Sequence, residues 1–144
     1  MDDSFSGLTG QTDMRLLRIM LVLQVALGLL WGVSMLFFAR QIVHGPSSMD
    51  EHIEKIAMEG AAHFALVFGA ILVWRSPQRT RDVLLLLIFL NALWTLTDLI
   101  YIPLLGLDAW DFYAKTIVNA GLAFGLAVGG WRAGILQGAL QDHQ

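Results

Sequence analysis

Four long apolar runs occupy most of this chain, and they constrain its fold more than any other feature. The runs are Ile19–Ala39, Ile56–Trp74, Val83–Ile102 and Trp110–Trp131. As helices rising about 1.5 Å per residue, each is long enough to cross a hydrocarbon core of roughly 30 Å. The sequence predicts an all-α integral membrane protein. Its transmembrane domain is a four-span, up-down-up-down helical bundle over residues 14–132. A polar N-terminal tail (1–13) and a short C-terminal tail (133–144) flank it.

Composition supports that class and removes others. The chain is 56% hydrophobic and 15% charged, too apolar for a small soluble domain, and its apolar residues cluster in runs. It contains no cysteine, which excludes disulfide staples, thiolate metal sites and cysteine redox relays. No metal site is expected. Net charge is only −3 and no basic patch exists, which argues against nucleic acid as a partner. The opening Met1-Asp2-Asp3 is unlike a signal peptide, and the first run exceeds a signal core in length. It reads as an uncleaved first transmembrane helix.

Charge asymmetry gives an orientation. Four spans place both termini and the second loop on one side, with Arg15, Arg18, Arg75, Arg79, Arg81 and Arg132. The other side has Arg40, Lys55 and Lys115, and is acidic through Asp50, Glu51, Glu54, Asp108 and Asp111. The positive-inside rule then puts both termini in the cytoplasm. Trp74 and Trp131 fit an inner aromatic belt, and Tyr101, Trp110 and Tyr113 an outer one.

Local signals place the boundaries. Helix one is expected from about Asp13 to Arg40, followed by the turn signal Gly45-Pro46-Ser47-Ser48. Ser48 and Glu51 fit a capping box, so helix two should begin near Met49. Ser76-Pro77 should end it, and Pro103 with Gly106 should mark the second outer turn.

Small residues recur every four positions. Helix four has Gly121, Gly125 and Gly129; helix two has Ala57, Ala61, Ala65 and Gly69; helix one has Gly28 and Gly32. Such spacing lets helix backbones approach closely. The stripes serve packing within the bundle, or contact with a second copy or a larger membrane complex.

The remaining signal is polar. Counted from the inner helix ends, Glu59, Asp98 and Lys115 lie roughly 22–24 Å up, and His63, Thr95 and Asn119 roughly 16–18 Å up, with Asn91 one turn further in. Glu59 and His63 are spaced i,i+4, as are Lys115 and Asn119. Ionisable groups inside spans are costly and usually functional. The matched depths predict a shared site with Glu59, His63 and Asp98 as acid–base groups. Trp31, Asn91, Trp94, Thr95, Lys115 and Asn119 would help bind a ligand. Each member also has a plainer reading. Lys115 snorkels outward, Asp98 meets interfacial water, Glu59 reaches the headgroups, or His63 is a satisfied structural histidine.

These residues meet the demands of known architectures only in part. A bis-histidine haem carrier needs paired axial ligands, and only His63 lies within a span. One pigment or haem on His63 stays open, and the cofactor is otherwise unknown. Quinone-linked disulfide enzymes need cysteines. Small multidrug exporters usually carry their coupling acid in the first helix, and this first span has none. In overall shape alone the chain resembles many small bacterial four-span proteins, which implies the bacterial inner (cytoplasmic) membrane. The functional expectation is a membrane protein that binds or acts on a lipophilic small molecule, with proton transfer through the polar site. The alternative is an accessory subunit of a larger membrane complex docked through glycine-rich faces. Whether it is an enzyme stays open.

Overall fold

The computed structural model describes residues 6–38, 49–105 and 110–137. Four helices account for nearly all of them: α1 (Ser6–Phe37), α2 (Met49–Arg75), α3 (Arg81–Leu105) and α4 (Trp110–Arg132). Three contain stretches long and apolar enough to cross a membrane, at Met14–Phe37, Glu54–Arg75 and Arg81–Ile100. The chain is thus all-helical and of integral-membrane character. α4 is also long, at 23 residues, but Lys115, Asn119 and its glycines dilute its apolar content.

The helices form a ring in chain order. α1 packs on α2 and α4, and α3 packs on α4 and, less extensively, on α2. α1 and α3 are therefore diagonal, as are α2 and α4. Antiparallel neighbours bring Arg15, Arg18, Arg75, Arg79, Arg81 and Arg132 to one end, called here the arginine-rich end.

Polarity is distributed inside-out. Buried polar residues include Gln24, His63, Asn91, Thr116 and Asn119, whereas Leu30, Phe68, Phe89, Leu99 and Phe124 are each more than half exposed. A water-soluble protein rarely shows so extensive an apolar surface; a bilayer favours it. Lipid tails are as apolar as leucine, so sequestering Leu side chains contributes little to helix association in a membrane. Close backbone approach and interhelical polar contacts matter more.

Glycines set those approaches. A Cβ at Gly28 would lie 2.6 Å from Val67 Cγ2, and one at Gly60 would lie 3.0 Å from Leu36 N and 3.1 Å from Gly32 O. These contacts hold α1 against α2 in the half far from the arginines. In the arginine-rich half, α1 instead meets α4. A Cβ at Gly129 would lie 2.9 Å from both Leu17 Cα and Leu17 N, and one at Gly125 would overlap Met20. α1 therefore leans from α4 at one end to α2 at the other.

Element boundaries match the sequence signals in places and depart in others. α2 begins at Met49 and ends at Arg75, one residue before Ser76-Pro77. Ser48 and its capping role lie outside the described residues, as do Gly45, Arg40 and Gly106. α1 starts at Ser6, seven residues before the expected start at Asp13, and ends at Phe37. No proline interrupts residues 6–13, so an established helix can continue through this polar stretch. Pro103 falls inside α3 rather than in the turn. The helix runs only two residues beyond it, so the missing N–H affects the final turn alone.

The segment after α4 folds back on the bundle. Gly134 has φ +73°, its N–H donates to Trp131 O (3.0 Å), and Ile135 N–H donates to Gly130 O (3.0 Å). This is a Schellman cap, with glycine at the left-handed position and an apolar residue next. It delivers Ile135 to the core beside Leu17, Leu84 and Leu126.

Candidate functional site

Polar side chains from all four helices meet along the bundle axis, from its middle to the end away from the arginines. The lowest layer joins the α1/α3 diagonal about 14–15 Å above the arginine-rich end. There Asn91 Nδ2 donates to Gln24 Oε1 at 2.9 Å and to Leu87 O at 2.8 Å. Gln24 is 2% exposed and Asn91 fully buried. Below this pair, the core is aliphatic: Leu17, Leu21, Leu66, Ala70, Val73, Leu84, Leu87, Leu126 and Ile135.

The next layer lies one turn higher. The His63 ring stacks on Trp94, with centroids 4.7 Å apart and planes inclined by 21°. His63 Nδ1 is 2.9 Å from Glu59 O. A carbonyl only accepts, so Nδ1 carries the proton and Nε2 is left to accept one or to donate after protonation. The i,i+4 spacing seen in the sequence thus joins the His63 ring to the Glu59 backbone and leaves the Glu59 carboxylate for another partner.

That partner is Lys115. Its Nζ is ion-paired and hydrogen-bonded to Glu59 Oε1, across the α2/α4 diagonal. In the same layer, about 24–26 Å up, Thr116 Oγ1 donates to Asp98 Oδ2 at 3.3 Å. The two diagonals are therefore tied at different heights by different chemistry, an amide pair below and an ion pair above.

Among the described residues of this polar column, two buried side-chain atoms have no hydrogen-bond partner: Asn91 Oδ1, an acceptor, and Asn119 Nδ2, a donor. Asn119 is 7% exposed. An unmatched buried polar group costs about 1–3 kcal/mol, so these two atoms are strong candidates for meeting a polar partner.

Other residues singled out in the sequence take varied places. Thr95 Oγ1 donates to Asn91 O within its own helix at 2.8 Å. Trp31 is half-buried on α1. Gly28, Gly32, Gly69, Gly125 and Gly129 face neighbouring helices, while Ala61 and Ala65 are exposed and Gly121 has no neighbour within 4 Å of a built Cβ. Four-residue spacing advances about 400° around a helix, so a long stripe drifts off a straight contact line. On α2 the close contact is made by Gly60, which lies outside the four-residue stripe.

Two participants, Gln24 and Thr116, lack a sequence-based site assignment. Gln24 carried a signal: it is an amide in the middle of an otherwise apolar stretch, Ile19–Leu30. Thr116 was masked by its neighbour Lys115, because a threonine in a membrane helix often satisfies itself on its own backbone.

Among the described residues, no group of three or more His, Asp or Glu side chains has an arrangement that could hold a metal ion. Compared with family models, curated proteins and solved structures, the chain finds no match.

Proposed function

We propose that this is a four-span protein of the bacterial inner membrane, with both termini in the cytoplasm, that binds a lipophilic small molecule from the outer leaflet. Exposure of Ile117, Phe124 and Trp131 along one side of α4 supports a fourth span facing lipid. The arginine bias supports the orientation. Reporter fusions at Gly45 and Gln144 should report opposite sides, with Gln144 inside. An external C-terminus would overturn the orientation.

The carrying observation for binding is the unmatched pair Asn91 Oδ1 and Asn119 Nδ2 within the polar column. A ligand head group with both a donor and an acceptor would complement them. His63 Nε2 and the Glu59–Lys115 pair lie along the approach from the far end, where they would orient that head group or exchange a proton with it. The aliphatic core beneath makes the column blind, which favours a binding site over a conduit.

The test is purification in mild detergent, followed by mass spectrometry of small molecules extracted from the protein. Wild type should retain a specific lipophilic compound. Asn119→Leu, Glu59→Gln and His63→Gln should each reduce its occupancy at least tenfold per folded molecule. Absence of any specific compound from wild type, or full retention by all three variants, would defeat the reading. If the variants instead lose stability or co-purifying subunits, the column is internal glue and the accessory-subunit alternative gains.

A further inference from the structure

A groove lies on the outer surface of the bundle and opens toward the arginine-rich end. The closest α1/α2 approaches, at Gly28 and Gly60, lie toward the far end, and a wedge lies between the two helices on the arginine side of them. The groove, of about 390 Å³, occupies that wedge. Val22, Ala26 and Leu29 line one side, and Ile71, Trp74 and Arg75 the other. None of the lining residues carries a carboxylate.

The groove has an apolar length and a cationic foot. From Arg18 to Leu29, α1 rises about 16 Å, close to the depth of one leaflet in a core of roughly 30 Å. At the foot, the Arg18 guanidinium lies over the Trp74 ring, 5.7 Å from its centroid. Arg75 joins the lining at the same level and is exposed. The cation–π contact with Trp74 positions the Arg18 guanidinium, which is exposed to hydrogen-bond acceptors. Planar guanidinium groups recognise phosphate oxygens bidentately, and tryptophan favours the headgroup boundary.

We propose that this groove is a binding site for an anionic phospholipid of the leaflet at the arginine-rich end. One acyl chain lies in the apolar trough, and the phosphate meets Arg18 and Arg75. Length, lining and charge together favour this occupant over a protein segment. A helix from a second copy would bury the two guanidinium groups and would need carboxylates to match them.

The full chain reconstituted in phosphatidylcholine vesicles provides the test. A minor fraction of brominated phosphatidylglycerol or, in parallel, brominated phosphatidylcholine is included, and tryptophan quenching is read. Subtracting the signal of Trp74→Phe isolates Trp74. At equal mole fraction, the anionic lipid should be preferred roughly thirtyfold, about 1 kcal/mol for each of two arginines beside one anionic head group. Arg18→Gln with Arg75→Gln should remove the preference. Ala26→Phe, which fills the trough, should reduce quenching by both lipids. Equal quenching of wild type by the two lipids would overturn the proposal, as would an unchanged preference in the double arginine variant. Crosslinks between Val22→Cys and Ile71→Cys on different copies, with no quenching, would also overturn it. The wild-type comparison stands even if a variant fails to fold.

Discussion

The two halves of this bundle are built on opposite rules. In the arginine-rich half, aliphatic side chains close the axis, and Gly125 and Gly129 bring α4 against α1. From the middle to the far end, the axis carries Gln24, Asn91, His63, Glu59 and Lys115, and the close glycine contacts move to the α1/α2 seam. The difference teaches where each property resides. Backbone proximity serves both halves, through a different pair of helices in each, and directional polar pairs tie the diagonals from the middle to the far end. α1 connects the halves by changing partner, and the lipid-facing groove lies between α1 and α2 on the arginine side of their closest approaches.

The largest way to break the arrangement is to push α1 off α4. A side chain at Gly129 meets the backbone of Leu17, which cannot rotate away. Gly129→Leu should destabilise the protein by about 3 kcal/mol, the upper part of the range for overpacking. Gly125→Leu should cost less, because its obstacle is the flexible Met20 side chain. Gly121→Leu meets open space and should change stability by no more than about 0.5 kcal/mol. Unfolding in mixed micelles would rank the three. A large effect at Gly121 with none at Gly129 would contradict the helix arrangement itself.

That ranking also marks what was legible in the sequence. Run length and hydropathy reveal the helices, because crossing a bilayer imposes a minimum apolar length. Breakers such as Ser76-Pro77 reveal the tight turn. Four-residue spacing identifies small residues as contact candidates, but it does not distinguish Gly129 from Gly121. That choice depends on which way α1 tilts, a tertiary property. Gly60 escapes the stripe because a different periodic track on α2 faces α1. Depth counting puts Glu59 and Lys115 at one level, and they pair. Depth alone does not specify azimuth, so Asp98 at the same level bonds Thr116, and Gln24 emerges as the Asn91 partner. The Schellman cap at Gly134 has a readable glycine signal, but where it sends Ile135 depends on packing.

A middle-sized effect tests the amide tie of the α1/α3 diagonal. Gln24→Leu removes one of the two acceptors of Asn91 Nδ2 and leaves Leu87 O, whereas Asn91→Leu removes both of the Asn91 polar atoms. A double-mutant cycle should give a coupling of about 0.6–1.7 kcal/mol, as for interhelical hydrogen bonds in membrane proteins. Because Asn91 Oδ1 is already unmatched, Asn91→Leu should be less destabilising than Gln24→Leu. The reverse order would mean that Asn91 Oδ1 has a stabilising partner in the resting protein, and would sharpen the search for it.

Among the polar ties, the smallest stability effect should come from the highest pair, and its size tests whether the halves differ in dryness as well as composition. Lys115 is 19% exposed and Glu59 33%. A sealed ion pair would lose roughly 3–5 kcal/mol when either partner is removed, because the survivor is left charged in a low dielectric. A pair in contact with polar surroundings behaves more like a surface bridge, worth about 0–1 kcal/mol. The exposure at the far end places this pair nearer the second limit. Lys115→Met and Glu59→Gln should therefore each shift unfolding by about 1 kcal/mol or less, and the double variant should differ little from either single one. Losses above about 3 kcal/mol in both singles, rescued in the double variant, would show a dry, closed far half. Entry of a ligand head group from the outer leaflet would then require the bundle to open first. Small losses, combined with reduced retention of the proposed ligand in Glu59→Gln, would separate a contribution of the pair to binding from its contribution to folding.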